Sequence, residues 1–134
     1  MIELLERMRA ALDAHDLEAF LAFFRDDYIG ERPRHPGAKI SSREDVRTNW
    51  SEVIADVPDL RIDVPAAVED GNTIWSEWRA YGTSRSGSTL ELRGVIIFGI
   101  QDDQVAWSRM YMEPVEQDGS TLNELMGVAR RPPG

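Results

Sequence analysis

The stretch from Thr73 to Met112 constrains the fold more than any other. It carries three runs rich in Trp, Tyr, Val, Ile and Phe, separated by Ser84-Arg85-Ser86-Gly87-Ser88 and by Gln101-Asp102-Asp103. β-Branched and aromatic runs between turn residues predict consecutive antiparallel strands. Turn length then decides which side chains share a face. A two-residue turn at Ser86-Gly87 sets Arg79 opposite Gly94, Glu77 opposite Ile96, Trp75 opposite Phe98 and Tyr81 opposite Leu92. A second two-residue turn at Asp70-Gly71 sets Ala66, Val64, Ile62 and Leu60 opposite Trp75, Glu77, Arg79 and Tyr81. Both turns thus place Glu77 and Arg79 among large apolar groups, where an unpaired charge is costly. The two are expected to pair, to reach water in a pocket, or to meet a ligand.

Upstream the period is helical. Leu5, Met8 and Leu12 recur at three- and four-residue spacing, and Asp16 is a plausible N-cap for a second helix whose apolar face is Leu17, Phe20, Leu21 and Phe24. Tyr28 to Ser42 holds two prolines and two glycines and predicts a short extended piece leading into a loop. Ser41 and Glu44 resemble a capping box for a third helix, with Val46, Trp50, Val53, Ile54 and Val57 on one face until Pro58. From Leu60 the period becomes two. After Met112 the chain turns at Glu113-Pro114. Ser120 is expected to cap a short helix with Leu122, Leu125 and Met126, ended by Gly127 and followed by a loose tail over 128–134.

Helices first and strands afterwards predict an α+β fold with helices on one face of a sheet. The 134 residues suffice for one domain with its own core. With no cysteine, a thiol nucleophile and a zinc-thiolate site are excluded, and the composition fits a reducing cytoplasm. A formal charge of −9, from 24 acids and 15 bases, argues against a nucleic-acid partner. The N-terminal stretch has no long apolar run, so neither a signal peptide nor a membrane span is expected.

Two N-terminal helices, the DDYIGERP entry into a loop, a helix beginning SREDVRTNW, and four strands ending QDDQVAWSRMYMEP, followed by LNELMG, resemble the SnoaL-like, or nuclear-transport-factor-2-like, superfamily over residues 1–127. That resemblance implies a cystatin-like cone, in which a curved antiparallel sheet wraps around a pocket covered by the N-terminal helices. It also implies a dimer formed through the other face of the sheet. No single activity follows, because the fold serves polyketide cyclases, ketosteroid isomerases, epoxide hydrolases, dehydratases and binding proteins. The basic Asp that the isomerases carry before a Pro is here Arg32 before Pro33, and their acidic oxyanion donor falls near Gly94. The Arg and Asp that the epoxide hydrolases carry two apart on a strand are here reversed, as Glu77 and Arg79, with Met110 where a second Asp belongs. Neither mechanism transfers as it stands.

Glu77 and Arg79 are the first candidates for a catalytic centre. A carboxylate in an apolar cavity can move protons, and a guanidinium beside it can steady an oxyanion. Arg32 and His35 follow, at the expected pocket mouth. Trp50, Trp75, Tyr81, Phe98 and Phe24 are candidates for an aromatic box around a small hydrophobic molecule, although aromatic stripes also serve as plain core. For the last strand, a three-residue loop at Gln101 to Asp103 turns Ala106, Ser108, Met110 and Met112 inward, whereas a two-residue turn at Asp102-Asp103 turns Trp107, Arg109, Tyr111 and Glu113 inward. The resembling family usually has Gly at the position of Asp103, which favours Ser108, Met110 and Met112 as binding residues. The opposite face would then expose Trp78, Val95, Ile97, Val105, Trp107 and Tyr111, enough apolar area to call for a homodimer. Only His15 and His35 are available as imidazole ligands, so no metal and no other cofactor is expected. The expected activity is cofactor-free acid/base chemistry of cyclase, isomerase, lyase or hydrolase type. The alternative is a non-catalytic ligand-binding or dimerisation module.

Overall fold

The computed structural model describes residues 1–115 and Gly127. The expected final helix at 120–126 and the tail 128–134 lie outside them. The N-terminal helix α1 (Ile2–Asp13) buries Leu5, Met8 and Leu12, the stripe its period predicts. It stops at His15, whose backbone adopts a left-handed φ of 60°. His15 Nε2 donates to the Leu60 carbonyl at 2.7 Å, tying the helix end to the start of the sheet. Asp16 caps α2 (Leu17–Leu21) by accepting from the Ala19 N–H. This helix is one turn shorter than its apolar spacing suggests. Phe24 opens strand β1 (Phe24–Glu31) instead, which still buries its ring.

Helix α3 (Arg43–Asp56) is capped by Ser42, one residue later than expected. Ser42 Oγ accepts from the Asp45 N–H, and Asp45 Oδ2 accepts from the Ser41 N–H, so the capping acid is Asp45 and not Glu44. Strands β2 (Arg61–Asp70), β3 (Thr73–Thr83), β4 (Thr89–Gln101) and β5 (Gln104–Pro114) follow. The sheet order is β1-β5-β4-β3-β2. Consecutive strands from β2 to β5 pair antiparallel, as expected, but β1 lies parallel to β5, so the sheet is mixed. The fold is an α+β cone in which the helices cover the inner face of a curved sheet.

Register decides what the inner face displays. Residues of even number point inward from β3, where Ile74, Ser76, Trp78 and Ala80 are all buried. Glu77 and Trp75 are exposed and Arg79 and Tyr81 half-buried on the outer face, which corrects the inward placement of all four. Two local structures cause the reversal. Between β3 and β4 the connection is the five-residue loop Ser84–Ser88, with Thr83 paired to Thr89, so β3 slips by one against the expected register. The loop is closed by its own serines, Ser84 Oγ accepting from the Ser88 N–H. It is anchored by the Arg85 N–H on the Asp56 carbonyl at the end of α3. Between β2 and β3 the turn is Gly71-Asn72, and the pairing shifts again between Asp63 and Ala66. Pro65 lies at that irregularity, and without an N–H it cannot continue a ladder. Beyond it, Ile62 pairs with Ala80, both facing in.

The β4–β5 connection reaches the preferred face by a different route. The turn is the two-residue Asp102-Asp103, both with positive φ, at 53° and 59°. A bulge between Gly99 and Ile100 then restores the parity of the longer loop, so that Phe98 pairs with Ser108. Ser108 and Met110 face inward, while Trp107 lies across Gly99 on the outside. A Cβ at Gly99 would stand 1.9 Å from the Trp107 indole nitrogen, so only glycine admits that ring.

Candidate functional site

A cavity of about 40 Å³ lies between the three helices and the inner face of the sheet. That volume holds a few water molecules, and a ring-sized ligand would need its walls to yield. Its walls are Phe20, Phe24, Trp50, Trp78 and Phe98, with Leu12, Ile40, Val46, Ile96 and Met110 between them. The rings meet in two groups. Phe20 stands 5.0 Å from Phe24 and 6.2 Å edge-on from Trp50, Phe24 packs edge-on to Tyr28 at 4.9 Å, and Trp78 leans on Phe98 at 5.9 Å. Trp50, Phe24, Phe98, Ser108 and Met110 are therefore brought together as their patterns suggest. Met112 packs against the core without lining the cavity.

The polar groups of the cavity are few. Tyr28 Oη and Ser108 Oγ share a buried hydrogen bond of 2.5 Å, and Asn49 adds an amide. Burial pushes the Tyr28 phenol above its ordinary value, against smaller opposing effects of the Ser108 bond and the Arg32 charge. Trp78 Nε1 donates to Ser76 Oγ at 2.8 Å, and Ser76 donates to the Ile96 carbonyl at 2.7 Å. Among the described residues no carboxylate belongs to the lining.

The expected catalytic pair sits elsewhere and is not a pair. Arg79 Nε donates to Glu91 Oε1 at 2.8 Å, and Arg93 donates to the same oxygen at 2.8 Å. The hydrogen bonds from Arg79 and Arg93 hold the Glu91 carboxyl below its usual range. The Arg79 guanidinium also lies 4.0 Å over the Tyr81 ring. Glu77 lines a shallow groove on the outer face with Val68, Trp75 and Val95. Arg32 borders a separate cleft of about 190 Å³ with Glu31, Pro33, Pro36 and Lys39. His35 Nε2 lies 2.9 Å from Glu113 Oε1, and Arg34 reaches the same oxygen at 3.6 Å, which ties the loop to the end of β5. Both Arg32 and His35 thus lie outside the cavity.

A family profile described as SnoaL-like domain matches residues 5–108. The chain belongs to the SnoaL-like family. Among curated proteins none matches it significantly. Solved structures resemble this SnoaL-like protein in fold. A candidate ketosteroid isomerase from Kribbella flavida is 20% identical, with 98% of this chain and 89% of that one covered at a TM-score of 0.70. A Mycobacterium tuberculosis protein in complex with estradiol-17β-hemisuccinate is 21% identical over 82% and 91%, also at 0.70. A candidate polyketide cyclase from Sinorhizobium meliloti is 17% identical over 83% and 94%, at 0.64.

Sequence reasoning missed Tyr28, Trp78 and Asn49 in the SnoaL-like cavity. For Trp78 a signal was available. Glu77 and Arg79 on β3 and Glu91 and Arg93 on β4 form one charged row, and plain alternation assigns a charged row to the outside. For Tyr28 the only signal is Gly30, two residues along the same face. A Cβ there would stand 2.5 Å from the Tyr28 hydroxyl, so the glycine makes room for it.

Proposed function

We propose that this SnoaL-like protein binds a small, flat, largely apolar molecule in the cavity between its helices and the inner face of its sheet. The observation that carries this reading is the set of six aromatic rings, Phe20, Phe24, Tyr28, Trp50, Trp78 and Phe98, around a space whose polar groups among the described residues are the Tyr28–Ser108 pair and the Asn49 amide. Such a lining favours flat apolar surface and orients it with few hydrogen bonds. The cavity opens on binding through Trp50, which is half-buried, and Met110, whose unbranched side chain adapts readily. Solution NMR of the Met110 methyl and the Trp50 and Trp78 indoles tests it with a panel of one- and two-ring aromatics. Saturable shifts at these three residues are expected. Shifts confined to the outer face, or binding that survives an Ile96→Trp plug, would overturn the reading.

Cofactor-free turnover of cyclase, isomerase, lyase or hydrolase type is the finer reading. It is favoured by one observation, the short Tyr28–Ser108 hydroxyl contact inside an otherwise apolar space. Arg32 and His35 would act from the loop outside, and Glu77 and Arg79 would take no part. A catalyst converts the bound molecule, whereas a binder returns it unchanged and gains only thermal stability.

Homodimerisation through the outer face completes the proposal. Val68 is 62% exposed and Trp75 48%, with Val95 and Tyr111 beside them, more than a polar sheet face needs to show water. Sedimentation of wild type and Trp75→Glu tests this. A dimer that the substitution dissociates is expected, and a monomeric wild type at micromolar concentration would refute it.

A further inference from the structure

Two hydroxyl relays border the cavity, and counting protons separates them. In the first, the Trp78 N–H ends on Ser76 Oγ and the Ser76 proton ends on the Ile96 carbonyl. Every donor there has an acceptor. In the second, Tyr28 Oη and Ser108 Oγ bond only to each other among the described residues. Each hydroxyl carries one donor proton, and one shared bond uses one of the two. Whichever oxygen donates, the other keeps an O–H that no acceptor among the described residues receives. Both side chains are deeply buried, Tyr28 at 5% exposure and Ser108 at 2%, and both line the cavity. A buried donor without an acceptor is costly, so such protons are normally matched by protein, water or ligand.

We propose that the spare proton of the Tyr28–Ser108 pair is the recognition group of this cavity, and that it selects an uncharged molecule presenting one carbonyl oxygen on a small apolar ring. This rests on the cavity reading above and names its ligand class. The remaining lining supports the choice. Among the described residues it adds one neutral amide, Asn49, with no cationic side chain to balance an anion and no carboxylate to receive a cation. Gly30 keeps the Tyr28 hydroxyl in place, since any side chain there would push it away from Ser108.

The test compares cyclopentanone with methylenecyclopentane, which differ by a carbonyl oxygen against a methylene of the same shape. Affinities are read from the Met110 methyl and the Trp50 and Trp78 indole signals. Wild type is expected to prefer the ketone by about tenfold, the size of one net hydrogen bond. Tyr28→Phe and Ser108→Ala each leave one free hydroxyl and should keep part of that preference. The double variant Tyr28→Phe/Ser108→Ala should lose it while binding the hydrocarbon at least as tightly. Equal wild-type affinity for the two probes would overturn this inference alone and assign the spare proton to trapped water. Binding of neither probe would remove the cavity reading and this inference together. A tenfold preference that persists in the double variant would also overturn it. The wild-type ratio needs no variant, so it decides even where the double variant does not fold.

Discussion

Gly30→Ala isolates the contact on which the polar corner depends. The added methyl would lie 2.5 Å from the Tyr28 hydroxyl and 3.1 and 3.2 Å from two ring carbons. The ring must move, and the 2.5 Å bond to Ser108 is lost. Losing one net hydrogen bond and leaving buried hydroxyls unmatched amounts to about 2–3 kcal/mol. For a chain of this length that corresponds to a fall in Tm of roughly 6–12 °C. Removing the hydroxyl first changes the outcome, because the tightest contact goes with it. On a Tyr28→Phe background only the ring-carbon contacts remain, which a shift of a few tenths of an ångström relieves, and Gly30→Ala should cost about 1 kcal/mol or less. Urea denaturation of the wild type, the two single variants and the double variant closes the cycle, with an expected coupling of about 1–2 kcal/mol. If Gly30→Ala costs the same on both backgrounds, the glycine is not there to admit the Tyr28 hydroxyl.

Other positions give simpler outcomes. Glu77→Gln, at an exposed outer-face site, should change monomer stability by no more than about 0.5 kcal/mol and leave cavity binding intact, and a loss of ligand affinity by calorimetry would contradict the face assigned to β3. Asp103→Gly should raise stability by about 0.5–1 kcal/mol in a urea titration, because Asp103 holds a φ of 59° that glycine adopts freely. Burial opposes ionisation of Asp13, but the Ile62 N–H, the Arg61 side chain and the Arg9 charge outweigh it, so its carboxyl lies below its ordinary value. A depressed carboxyl contributes stability above its unfolded pKa of about 3.9, and that contribution disappears as pH falls through the folded value. The wild-type urea midpoint should therefore drop more steeply than that of Asp13→Asn as pH falls below about 4. Parallel curves would remove Asp13 from the acid sensitivity.

Much of the architecture was legible locally. The stripe of Leu5, Met8 and Leu12, the capping serines before α3, the period of two at the start of β2 and the apolar run of β4 each specify an element from within a few residues. The resemblance carried by those elements led to the right family over residues 5–108. On β5 the sequence left both faces open, and the preferred one is observed although the three-residue loop behind that preference is a two-residue turn corrected by the bulge at Gly99.

The sequence by itself determined which segments become helices and strands, because propensity, capping and periodicity act between near neighbours. Only the tertiary structure decided which row of β3 faces the cavity. That choice depends on a shift of pairing around Pro65 on one side and, on the other, on a five-residue loop held by the end of α3. A strand's two faces exchange with a slip of one residue, so contacts between distant segments settled whether Glu77 and Arg79 or Ser76 and Trp78 would face inward.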